Sequence, residues 1–237
     1  MKRPPSTTAV RPQSTAVVIA LARAQLRLEL RTFESLPAMC LFSVTAFLLF
    51  HFGLNVDQMS GDLASGVLWV TLLLAALLAI NRIYVADAEQ GGFDAFVLSP
   101  AERSTLLFAK ILVLLVYMAL VELVAVPAFA ILLLEPSLWQ AMPSLLGALA
   151  LGNLGVAVIG TLVGALAVRT QARDLLGPLM SLPLLVPVAL CVARWTAPLF
   201  DYPHAVGVAV RWPLVLALYD ALFGLIAFAL FDFLLED

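Results

Sequence analysis

The chain has 237 residues, 63% of them hydrophobic and 12% charged, with a formal net charge of −3. Soluble domains carry about a quarter charged and roughly half apolar residues, and a globule of this size has too little interior to hide such an excess from water. The composition excludes an ordinary water-soluble domain, the acidic balance argues against a nucleic-acid partner, and lipid is the implied solvent.

Residues 1–16 hold Lys2, Arg3 and Arg11 among Pro, Ser and Thr and read as a disordered basic cytoplasmic tail. A cleaved signal peptide would need a short apolar core followed by a small-residue cleavage site, whereas the next segment here is rich in arginine. Over 17–34, Val18, Ile19, Ala22, Leu26, Leu30 and Phe33 share one face of a helical wheel, with Glu29 intruding at its edge. Arg23, Arg27 and Arg31 recur every four residues on the opposite face, with Glu34 in their stripe. Such a helix lies in the headgroup plane, either as a plain anchor or as a surface that also touches a cytoplasmic partner.

The remainder, 35–237, reads as one six-span transmembrane domain. About 20 mainly apolar residues cross the hydrocarbon of a bilayer, and six segments qualify, near Leu36–Leu54, Ser65–Val85, Ser104–Leu134, Met142–Val168, Leu175–Ala193 and Pro213–Leu235. Their continuous apolar runs are not the alternating stretches of a membrane barrel. With a cytoplasmic N-terminus, Lys2, Arg3, Arg11, Arg23, Arg27, Arg31, Arg82, Arg103, Lys110, Arg169 and Arg173 fall inside, leaving only Arg194 and Arg211 outside. Positive charge belongs inside, and Trp69, Trp139, Trp195 and Trp212 then stand near the outer interface, where amphipathic rings prefer to lie.

Individual spans carry further signals. The third, at 31 residues, is about 46 Å long as a helix and should tilt or project into the cytoplasm. Gly160 and Gly164 of the fourth form a GxxxG pair, which favours close helix packing over substrate contact. Pro178, Pro183 and Pro187 should make the fifth irregular. Between the fifth and sixth, the proline- and aromatic-rich loop 195–212 has the character of a re-entrant element.

The cytoplasmic loop 86–103 holds Asp87, Glu89, Gly91, Gly92, Phe93, Asp94, Phe96, Val97, Leu98, Ser99 and Pro100. Gly91 and Gly92 permit a sharp turn, and Asp94 supports the first turn of a short helix whose greasy face is Phe93, Phe96, Val97 and Leu98. That helix either tucks onto the membrane or docks a soluble protein. The chain has no GxxxxGK[ST] run to cradle nucleotide phosphates, so an ATP-driven process would need its motor in another subunit.

Ionisable groups inside spans are costly and point to function by default. Glu122 and Asp220 fall in the outer halves of the third and sixth spans, not far in depth from Arg194 and Arg211, so some of these four are expected to pair and steady an outer gate. The plainer reading makes Glu122 a neutral carboxyl hydrogen-bonded between helices. His51 and His204 face the outer side without a visible pairing and suit interfacial snorkelling better than haem ligation. Cys40 and Cys191 lie in apolar runs with no metal or redox spacing and read as inert buried thiols.

The run Asp87-x-Glu89-x-Gly91, then Leu98-Ser99-Pro100, then Ala109-Lys110 resembles the cytochrome c maturation protein CcmB family, as do the arginine-rich first helix, the six spans and the chain length. The resemblance implies an all-α fold akin to type-2 ABC exporter permeases. It makes the segment from Asp87 to Pro100 a coupling helix in a cleft of a separate, CcmA-like ATPase, which binds the ATP and magnesium. It further implies a homodimer in the bacterial inner membrane, CcmC-, CcmD- and CcmE-like partners, and haem as a handled ligand delivered to a haem chaperone, with no cofactor or catalytic residue in this chain. Phe96-Val97 stands where the family usually has leucines, and the end with Asp232, Glu236 and Asp237 is unusually acidic. A permease for another amphipathic substrate would share the architecture. A secondary transporter with proton sites at Glu122 and Asp220 is a different class, for which no internal repeat speaks. The spans contain no HExxH or GxSxG to support an intramembrane enzyme.

Overall fold

A computed structural model describes residues 14–32, 35–54, 58–89, 103–134, 138–168, 173–201 and 209–234. The described residues form α1 (Ser14–Thr32), α2 (Ser35–Gly53), α3 (Gly61–Glu89), α4 (Arg103–Leu133), α5 (Leu138–Val168), α6 (Arg173–Thr196), a 3-10 turn (Ala197–Phe200) and α7 (Arg211–Leu234). In hydrocarbon each backbone amide must be satisfied within its own segment, which leaves continuous helices as the solution for these apolar runs. The six helices α2 to α7 are long and apolar enough to cross a membrane, and the protein is a multi-pass membrane protein.

Neighbouring helices pack antiparallel, as their ties show. Arg82 Nε of α3 donates to Ser35 Oγ of α2 at 3.0 Å, at the end of the bundle where α3 finishes and α4 begins. At the opposite end, which carries Trp69, Trp195 and Trp212, the Met59 amide donates to the Leu133 carbonyl at 2.8 Å. Between α6 and α7, Tyr219 Oη donates to the Leu184 carbonyl at 2.8 Å.

The bundle is organised around α5, which packs on α3, α4, α6 and α7. Of its most apolar window 72% is buried, against 17% for each of α2 and α7, so those two form the rim. Because lipid tails are as apolar as leucine, close packing rather than escape from water holds such helices together, and small residues let them approach. A methyl group at Gly160 would stand 2.7 Å from Ile80 Cγ1, and one at Gly152 would stand 3.1 Å from Val192 Cγ1 and 3.3 Å from the Trp69 ring. The GxxxG expectation is met at Gly160 by interlocking side chains of α3 and α4, and Gly164 is buried.

The structure changes the sequence reading in several places. Helix α3 continues past Val85 to Glu89, so Asp87 and Glu89 stand on a helix rather than in a loop: nothing from Ala86 to Glu89 breaks the helical backbone, and the first glycine follows at Gly91. Helix α6 runs without a break in its helical backbone through Pro178, Pro183 and Pro187, and Pro183 is exposed. Of loop 195–212, the described residues are the end of α6, a 3-10 turn that buries Ala197 and Phe200, and the lead into α7. Phe200 meets Phe129 at 5.7 Å between ring centroids, and Phe129 meets Phe47 at 5.4 Å, so this segment plugs the end of the bundle. Trp69, near that same end, is 6% exposed, so its ring is covered by neighbouring helices.

Candidate functional site: the polar middle of the bundle

Helix α1 buries Ala22 and lays Leu21 and Leu26 against the bundle, packing on α4, while Arg23 and Arg27 are exposed. Arg31 lies on the same helix, four residues on. Ile19, placed on the apolar face by the wheel, is 44% exposed. Gly91, Phe93, Phe96, Leu98, Ser99 and Pro100, expected from the sequence to dock a partner, lie outside the described residues, as do Gly92, Asp94, Val97, Arg169, His204 and the acidic residues Glu236 and Asp237.

The expected pairing among Glu122, Asp220, Arg194 and Arg211 does not form. Arg194 Nη1 instead meets Asp62 Oδ1 at 3.2 Å, with both side chains well exposed at the tryptophan-bearing end. The Arg211 guanidinium sits 5.0 Å from the centre of the Trp212 ring, a cation–π arrangement. Both arginines stay at the rim because a guanidinium is cheaper there than at depth. They share with Asp62 and Trp212 a shallow cavity of about 420 Å³.

The carboxyls instead flank α5. Glu122 Oε2 accepts a hydrogen bond from Asn153 Nδ2 at 2.8 Å; this is the interhelical bond of the plainer reading, and Asn153 is the partner that sequence reading missed. Glu122 Oε1 is buried and has no hydrogen-bond partner among the described residues. Asp220 is 4% exposed, and neither of its oxygens has a hydrogen-bond partner among the described residues. It packs against Gly155, where a methyl group would stand 2.5 Å from Asp220 Oδ1 and 3.1 Å from Val188. Only glycine leaves room for that carboxyl. Asn153 and Gly155 are two residues apart, so the two acids approach α5 at nearly one level from different sides.

Beside Glu122 an apolar groove of about 790 Å³ opens between α4 and α5, walled by Leu123, Val126, Pro127 and Ile131 on one helix and Met142, Leu146 and Ala150 on the other, with Glu122 and Asn153 also lining it. Near the tryptophan-bearing end lies a different polar cluster. Thr196 Oγ1 donates to the Val192 carbonyl at 2.9 Å and accepts from Trp69 Nε1 at 2.8 Å, while the Ser65 hydroxyl lies 2.8 Å from it and donates to the Ala193 carbonyl at 2.7 Å. Lys110, placed by the sequence toward the cytoplasmic side, stands seven residues into α4 and is 3% exposed, packed within the bundle. Cys191 is buried and Cys40 half-buried, and both are free thiols. The His51 ring meets Phe52 edge-on at 4.8 Å. Among the described residues no group of three or more His, Cys, Asp or Glu could hold a metal ion.

Comparison with known proteins places this architecture among relatives. A family model described as CcmB protein matches residues 16–231. Heme exporter protein B of Rhodobacter capsulatus is 32% identical over 201 residues, covering 83% of this chain and 88% of the relative. The protein of the same name from Pseudomonas aeruginosa is 32% identical over 176 residues, covering 74% and 78%. That of Paracoccus denitrificans is 33% identical over 125 residues, covering 53% and 56%. No solved structure matches the chain at a significant level.

Proposed function

The chain belongs to the CcmB family, and on that premise we propose that it is the membrane permease subunit of an ABC-type haem exporter acting in cytochrome c maturation. The observation that carries this reading is the reach of the family match, 16–231, which takes in most of α1 and of α7 and the whole of segment 86–103. A non-catalytic role follows: the chain supplies spans and a docking surface, and a separate ATPase subunit supplies hydrolysis. ATP-driven closure of that motor pushes on the segment around Phe93–Leu98, and α3 and α4, which enter and leave it, carry the movement into the bundle. Haem, or the haem chaperone that receives it, is the species acted on at the far side. Two copies of the chain form the centre of the complex in the bacterial inner membrane, with both termini and the arginines of α1 in the cytoplasm and other maturation proteins alongside.

The test is to purify the tagged chain from its native membrane in mild detergent and identify what accompanies it. An ATP-binding subunit that is lost on Phe96→Asp supports the reading, and haem-chaperone loading that depends on this chain separates it from a permease for another substrate. A chain that purifies alone, with transport surviving ATP depletion, would overturn it.

A further inference from the structure

Arg194 and Arg211, at the tryptophan-bearing end, stand where α6 finishes and α7 begins, and both line the cavity of about 420 Å³ there. That volume falls in the range of small-molecule sites, roughly 300–1,000 Å³. Asp62 is the one acid among its described lining residues, so two guanidiniums face it against one carboxylate. Asp201 lies against Gly61 instead and does not line it. Arg194 uses only Nη1 on Asp62, at 3.2 and 3.4 Å from the two carboxylate oxygens, which leaves its Nε and Nη2 donors over. Arg211 has no ion pair among the described residues; its guanidinium lies 5.0 Å from the centre of the Trp212 ring. Contact with a ring engages the flat face of a guanidinium and leaves its edge, a fork of N–H donors that matches a phosphate, open to an acceptor.

Helix α7 continues this charged seat with hydrocarbon. Leu214, Val215, Leu218, Leu222 and Leu225 fall within about 60° of Arg211 on a wheel of 3.6 residues per turn. All five are exposed, Leu214 at 58%, Leu218 at 63% and Leu225 at 69%. From Arg211 to Leu225 the stripe is about 21 Å long by helical rise, enough to cover one leaflet of a hydrocarbon core about 30 Å thick. A soluble anion would meet the arginines and leave the stripe unused. A zwitterionic lipid would cover the stripe but bring its own cation to the arginines. An anionic phospholipid matches both, and basic pockets between spans are where such headgroups bind.

We propose that this cavity binds the headgroup phosphate of an anionic phospholipid in the leaflet at the tryptophan-bearing end, with an acyl chain lying along the exposed face of α7. The phosphate accepts hydrogen bonds from the edge of Arg211 and from the Arg194 donors that Asp62 leaves over. Asp62 competes with the lipid for Arg194 and so limits how tightly the headgroup is held. The site is at the opposite end of the bundle from segment 90–102, so its failure would leave the permease reading untouched.

The experiment puts the full chain into phosphatidylcholine vesicles containing a phosphatidylglycerol probe with a diazirine on its acyl chain, and maps the photoadducts by peptide mass spectrometry. Adducts are expected on the exposed face of α7 between Val210 and Leu225. Arg211→Gln should lower their yield about fivefold, the effect of one basic residue beside an anionic headgroup, while Arg27→Gln on α1 leaves it unchanged. Asp62→Asn releases Arg194 and should raise the yield, by up to about fivefold. Ala209→Trp fills the cavity without touching either charge and should lower it. Arg211, Asp62 and Ala209 are all exposed, so none of these changes removes a packed side chain. A phosphatidylcholine probe that labels α7 equally well would overturn the proposal, as would a yield that Arg211→Gln and Ala209→Trp leave unchanged. Inorganic phosphate that displaces the probe as well as unlabelled phosphatidylglycerol does, at equal ionic strength, would also overturn it by making the ligand a soluble anion.

Discussion

The node at Thr196 and the acids beside α5 are both buried polar clusters, yet they are built in opposite ways. At the node, three side chains and two carbonyls saturate one another across α3 and α6. Around α5, one acid has a single donor and the other has none among the described residues. A saturated cluster gains from low dielectric, whereas an unsatisfied one loses by it, so the first belongs to the scaffold and the second is retained at a cost in stability. The lesson is that in this bundle the strength of a polar contact and its functional interest run in opposite directions.

The comparison can be sharpened or broken by substitution. The largest effect is expected where packing alone decides: Gly155→Leu drives a side chain into Asp220 and Val188, costing about 3 kcal/mol by overpacking, read as lost accumulation in the membrane and a lower midpoint of thermal unfolding in detergent. Thr196→Val should cost about 1–2 kcal/mol, because it leaves the buried Trp69 N–H without its acceptor while Ser65 keeps its bond to the Ala193 carbonyl; the same unfolding assay reads it, with cytochrome c maturation reduced only in proportion to protein level. Asp220→Asn should leave stability unchanged within about 0.5 kcal/mol, since it removes a possible charge without breaking a hydrogen bond, while maturation per molecule falls. If Asp220→Asn behaves like Thr196→Val instead, the acid is a structural member and the contrast fails. The smallest effect belongs to Arg194→Gln: its pair with Asp62 is exposed, so the loss should stay below about 1 kcal/mol and vanish at high salt.

The fold was largely legible because lipid enforces one pattern. The ends of α2, α4 and α7 lie within two residues of the apolar runs read at Leu36–Leu54, Ser104–Leu134 and Pro213–Leu235. Boundaries failed where polarity and helix formation part company, as at Ala86–Glu89: acids end a hydrophobic run without ending a helix. The site was legible only in part. Glu122 and Asp220 stood out because charge in a span is rare, but their neighbours did not, since Asn153 and Gly155 are ordinary residues in a glycine-rich span. Which face of α5 meets α4 and which meets α7 depends on long-range packing that no local periodicity encodes. The arginine pairing failed for a related reason: similar depth along two helices says nothing of lateral separation, and Asp62, in the first turn of α3, was nearer to Arg194 than either intramembrane acid.

Helix α3 is 29 residues long, about 43 Å by helical rise, and so exceeds the hydrocarbon by about 13 Å. At one end it leads into segment 90–102; near the other it holds Ser65 and Trp69, fastened to α6. A rod of that length, pivoting by about five degrees at its middle, moves each tip by roughly 2 Å. Its close fit of Ile80 against Gly160 lies between the two ends, where a fulcrum would stand. Shortening the rod or loosening that pivot would change the throw at the sealed end while every hydrogen bond there stayed in place.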